Sequence, residues 1–128
     1  MLKNKEEVNM TITISVRKHF SVEDIANLMY SMPQGSSYWC DGVGSLGYES
    51  TVKGILEKGE SLKLSITDER TGELESTHEL TLGKIKKGLT LMAKKFPKHY
   101  ADIITENTDC ETSDILLQLA LLGDIIYG

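Results

Sequence analysis

Between Pro33 and Ser50 the chain reads Pro-Gln-Gly-Ser-Ser-Tyr-Trp-Cys-Asp-Gly-Val-Gly-Ser-Leu-Gly-Tyr-Glu-Ser. This stretch holds four of the eleven glycines, the single tryptophan, two of the five tyrosines and one of the two cysteines. Its residue types suit one kind of chemistry, the holding of a planar ligand. Tyr38, Trp39 and Tyr48 offer flat faces with one polar atom each. Gly35 lets a backbone approach a ligand closely, and Ser36 adds a hydroxyl. Lys84 and Lys87, from a basic tract further on, could neutralise a phosphate. These seven residues form the expected ligand-binding set. The competing role, commoner for aromatics in small domains, is to close the end of a core.

Residues for catalysis are harder to assemble. His19, His78 and His99 lack the close spacing of metal-ligand pairs, and no CxxC or His-Cys cluster is present. Cys40 precedes Asp41, which raises a thiol pKa and so opposes a thiolate nucleophile. Gly42-Val43-Gly44-Ser45-Leu46-Gly47 matches G-x-G-x-x-G, yet it has no strand before it and no helix expected after it. The expectation is a binding protein without catalytic residues, metal or cofactor.

The elements that must position the aromatic loop follow from periodicity. Met10, Ile12, Ile14 and Val16 alternate with polar residues and predict a strand over 8–16, after a frayed 1–7. Ser21 opens a helix whose Val22, Ile25, Leu28 and Met29 share a stripe, and Met32-Pro33 ends it. Tyr48–Glu57 reads as a strand with a bulge at Gly54; Leu62–Ile66 and Leu74–Leu80 read as a hairpin closed by Asp68–Gly72. Leu82, Ile85, Leu89, Met92 and Phe96 mark a helix that Pro97 stops, and 99–109 is ambiguous. Thr112-Ser113-Asp114 opens a last helix that is apolar nearly all round, and the Ile125–Tyr127 tail should dock. The expected architecture is one α+β domain over 1–128, with an antiparallel sheet of about four strands, helices packed on one face, and the order βαβββαα.

Charge narrows the partners. Residues 81–100 carry six lysines and no acid, whereas 101–128 carry six acids and no lysine or arginine. Opposite signs predict that the two segments lie side by side. The chain has two arginines, Arg17 and Arg70, and no arginine-aromatic interleaving, which argues against nucleic acid. No apolar run reaches the length of a membrane span and the N-terminus has no apolar signal region, so a cytosolic protein is expected. A sheet covers only one side of the last helix, which predicts a homodimer or larger oligomer with Leu117, Leu121 and the tail near its interface.

Ser21-Val22-Glu23-Asp24-Ile25, the Tyr38-Trp39-Cys40 triplet and the ending from Asp114 to Gly128 together resemble a group of small acidic proteins encoded by phages and prophages of Gram-positive bacteria. The resemblance spans nearly the whole chain and brings no catalytic residue. It implies a phage accessory protein acting against host defence in the bacterial cytoplasm. Two modes follow. In one, an oligomer sequesters a nucleotide-derived immune signal against the aromatic loop. In the other, the protein docks on a host defence effector such as a CRISPR nuclease.

Overall fold

The computed structural model describes residues 10–128. Ser21 caps helix α1 (Val22–Tyr30) by accepting the Asp24 N–H at 3.0 Å, and the stripe Ile25, Leu28 and Met29 is buried. Proline does not end the helical path. Pro33 lies in the first turn of a short second helix, α2 (Met32–Ser36), where its missing N–H costs nothing. A 3-10 turn (Val43–Gly47) then leads into α3 (Glu49–Lys58).

Helix α3 replaces the strand expected at 48–57. Val52, Ile55 and Leu56 recur at helical spacing and are buried, while Glu49 and Lys53 pair at 2.7 Å one turn apart on the open side. Here the 3.6-residue period outweighs the β-branched content. The hairpin is as expected. Strands β1 (Leu62–Thr67) and β2 (Leu74–Leu80) pair antiparallel, with Leu62 opposite Leu80 and Leu64 opposite His78.

The fold is α+β, but among the described residues its sheet has two strands, not four. Residues 10–20 form neither helix nor strand, and Met10, Ile12, Ile14 and Val16 stand in solvent, Ile12 at 95% exposure. Alternation prepares a segment for a sheet; only a partner edge satisfies its backbone groups. Val8 and Asn9, and the expected frayed 1–7, lie outside the described residues.

Helix α4 (Leu82–Lys95) is capped by Thr81, and α5 (Pro97–Ile104) starts at the proline that stops it. Helix α6 (Cys110–Leu122) begins earlier than Thr112, because Asp109 is its cap and accepts the Thr112 N–H at 3.0 Å. It runs through the centre of the molecule, packed mainly on α4 and α2. Gly88 permits the α4 crossing, since a Cβ there would stand 3.0 Å from the Ala120 backbone nitrogen. Leu117 and Leu121 are therefore buried within one chain, and the open apolar face that placed an oligomer interface on them is absent. The basic and acidic segments do lie side by side, through apolar contacts. The ion pairs among the described residues, Lys53–Glu49 and Arg70–Asp68, involve neither segment.

Candidate functional site

Beyond the polar first turn Glu111-Thr112-Ser113, helix α6 is apolar except at Asp114 and Gln118, one turn apart and both buried. A buried polar group must find partners, and these two find the aromatic loop and the tail. Asp114 Oδ1 accepts from Ser36 Oγ at 2.8 Å and Trp39 Nε1 at 2.7 Å. Its Oδ2 accepts from Tyr38 OH at 2.7 Å and Gln118 Nε2 at 3.1 Å. Gln118 Oε1 accepts the Ile126 and Tyr127 N–H groups at 2.8 Å each, and its Nε2 donates to the Tyr127 carbonyl at 3.1 Å. The latched tail lays the Tyr127 ring flat on Trp39, centroids 5.2 Å apart and planes 8° apart.

Three expected site residues, Ser36, Tyr38 and Trp39, thus meet around a carboxylate. Gly35 serves packing: a Cβ there would run into the Cys110 carbonyl oxygen where α2 crosses the start of α6. Ser36 is buried, and Trp39 is 6% exposed with a ring face already occupied by Tyr127. Tyr38 keeps its ring half open, but its hydroxyl is desolvated and bonded to Asp114, which pushes its pKa up to about 12. Tyr48 is 68% exposed, and neither it nor Lys84 nor Lys87 lines either main cleft. Asp114, Gln118 and Tyr127 were missed in the sequence. Their signal was a polar i, i+4 pair inside a helix with no polar face to carry it.

Cys40 is buried beside the same loop, and burial, with the charges of Asp41 and Asp114, pushes its thiol up to about 12. The raised pKa sets the sign of a pH dependence. Below pH 9 the thiol is protonated in both states; between pH 9 and 12 only the unfolded chain loses its proton. Stability should fall by about 1.4 kcal/mol per pH unit from this group as pH rises above 9. Urea unfolding at pH 8, 9 and 10 checks it, with Cys40→Ser flattening the trend.

A more open concavity lies elsewhere. A groove of about 640 Å³ runs between the extended 16–20 segment, α1, the end of α3 and α4. Ile25, Leu56, Ile85 and Leu89 line it with apolar surface. Phe20 and Tyr100 meet edge to face in it, centroids 6.2 Å apart. Lys18, Lys86 and Lys94 also line it, the last two spaced two helical turns apart on α4. Helical phase puts Lys86 beside Ile85 and Leu89 and Lys84 on the far side of α4; Lys87 and Lys94, seven residues apart, share one phase, and of the two Lys94 lines the groove.

A smaller cleft of about 400 Å³ touches Tyr38, Trp39 and Tyr127. Asp68, Glu69 and Glu75 line it against the single cation Arg70. Its charge repels phosphate, so an anionic ligand belongs in the larger groove. Among the described residues no helix is long and apolar enough to cross a membrane.

Comparison of the chain with profiles of known protein families, with curated proteins and with solved structures returns no match.

Proposed function

We propose that this protein binds, without transforming it, a small anionic molecule with a planar or apolar body, held in the groove between α1 and α4. The observation that carries the reading is the meeting of an apolar floor, the Phe20–Tyr100 aromatic edge and three lysines in one concavity of about 640 Å³. That volume lies within the usual range for small-molecule sites, which are mostly apolar with a few placed polar groups. The resemblance to phage and prophage proteins supports a nucleotide-derived signal of host defence as the ligand, sequestered in the bacterial cytoplasm. In this reading Phe20 and Tyr100 take the base, and Lys18, Lys86 and Lys94 take the phosphates. Groups at these positions replace the aromatic loop, whose tryptophan already has its own partners.

Native mass spectrometry of protein purified from cells with an active signalling defence should reveal a retained small molecule. Calorimetric titration with cyclic mono- and oligonucleotides then tests the groove. A charge-assisted hydrogen bond contributes about 1.5–3 kcal/mol, so Lys86→Ala or Lys94→Ala should weaken binding about 10- to 100-fold. Added salt should weaken the parent in the same direction. A protein that retains nothing and binds none of these nucleotides overturns the reading. Such a result favours docking on a host defence protein, for which pull-down from host lysate is the check.

A further inference from the structure

The sheet ends abruptly at β2. Beyond β1, the loop residue Asp41 closes the edge: its backbone exchanges hydrogen bonds with Ser65 at 2.7 and 3.1 Å, and its carboxylate accepts from Thr67. No described strand pairs with the outer side of β2. The face of β2 that continues the Leu64 and Ile66 side is covered only in part: Leu80 is buried, His78 and Ser76 are half-buried, and Leu74 is 63% exposed. An open edge presents a row of unpaired N–H and C=O groups, and the outward-pointing residues of β2 are in that position.

The same chain carries a segment built for such an edge. Met10–Val16 matches the seven residues of β2 in length, is rich in β-branched residues, alternates apolar and hydroxyl side chains, and is exposed without secondary structure. We propose that Met10–Val16 of one copy adds to the β2 edge of a second copy as an antiparallel third strand, reciprocally, forming a two-fold dimer.

Parity and charge choose the register. The even-numbered apolar residues must fall on the core face, because a one-residue slip would turn them all to solvent. Aligning the two segments end to end then sets Met10 opposite Leu80, Ile12 opposite His78, Ile14 opposite Ser76 and Val16 opposite Leu74. On the other face Thr13 meets Thr77, itself opposite Ser65 on β1, giving a hydroxyl row across three strands. Arg17 arrives opposite Glu73 and diagonal to Glu75, an acidic stretch that otherwise has no cationic partner among the described residues.

Geometry assigns the strand to a second copy. In its own chain Val16 lines the same groove as Leu82, just past the C-terminal end of β2. The antiparallel register needs Val16 at Leu74, about 20 Å away along the strand. One chain can at best approach β2 in the parallel sense.

Light scattering after size exclusion at tens of micromolar should return the dimer mass for the full chain and the monomer mass for Thr13→Pro. Ser65 turns its N–H and C=O to Asp41, so Thr77 turns its own to the open edge, and proline at the residue opposite Thr77 removes a donor to that edge. Unchanged helical circular dichroism would show that this variant still folds. The register is read by mixing Thr13→Cys protein with Thr77→Cys protein under mild oxidation. A disulfide-linked pair should form in the mixture and in neither protein alone. Monomer mass for the parent, a dimer that survives Thr13→Pro, or a Thr13→Cys/Thr77→Cys double variant that closes its disulfide within one chain would each overturn the proposal.

Discussion

Replacing Asp114 with alanine should remove about 3–5 kcal/mol of stability, a large part of what holds a domain of this size together. The loss is not that of one hydrogen bond. Ser36 Oγ, Trp39 Nε1, Tyr38 OH and Gln118 Nε2 all donate to this carboxylate. Deleting it leaves two buried donors, Ser36 and Trp39, facing apolar surroundings, at about 1–3 kcal/mol each. The costs are not additive, because the four donors share one acceptor. Asp114→Asn discriminates further. Its Oδ1 still serves Ser36 and Trp39, while its NH2 opposes the donors from Tyr38 and Gln118, so it should recover roughly half the loss. Urea unfolding with an unchanged slope is the measurement. An alanine variant within about 0.5 kcal/mol of the parent would show that the network does not organise the loop.

Trp39→Ala should cost a similar amount by a different route. The indole is buried, so its removal leaves a cavity, a class of change that costs about 3–5 kcal/mol. It also strips Tyr127 of its stacking partner and Asp114 of a donor. Part of the cost should therefore be shared with the tail. In a double-mutant cycle with Tyr127→Ala, the coupling should be about 0.5–1.5 kcal/mol, the range for aromatic pairs. Ligand binding in the groove should be unchanged in the folded fraction of Trp39→Ala, since Trp39 does not line it. A Trp39→Ala protein that stays as stable as the parent but loses its ligand would reverse this assignment and return the site to the aromatic loop.

Where the apolar period was long and uninterrupted, the elements were legible in the sequence. Helix α4, the β1–β2 hairpin and α1 with its Ser21 cap follow from local pattern alone. The misreadings share a cause. At 48–57 a short run of β-branched residues fits both periods, and the buried spacing of Val52, Ile55 and Leu56 decides for the helix. At 10–16 the local pattern is that of a strand, but pairing is a non-local property, and the described chain supplies no partner. The aromatic loop was recognisable as a place where the chain is specialised. That its tryptophan faces a buried acid was not, because the partner lies 75 residues away. Lys86 could have been separated from Lys84 by projecting α4 on a helical wheel beside Ile85 and Leu89, but Lys94 shares its phase with Lys87 and could not. The contributions of Lys18, Phe20 and Tyr100 depend on tertiary packing, which no wheel shows.

The contacts made by Asp114 also have a kinetic meaning. Ser36, Tyr38 and Trp39 lie 78, 76 and 75 positions from it along the chain, whereas the hairpin joins neighbours. Closing a long loop costs entropy before any contact repays it, so distant pairings are slow to form. If the hairpin and the capped helices assemble first and the carboxylate meets its donors after the folding barrier, the φ-value of Asp114→Ala from folding and unfolding kinetics should lie near zero. Interactions made that late leave the folding rate almost untouched and act on the rate of escape from the native state. On that order of events the α6 polar pair is a clasp that sets the lifetime of the folded protein more than the speed with which it forms.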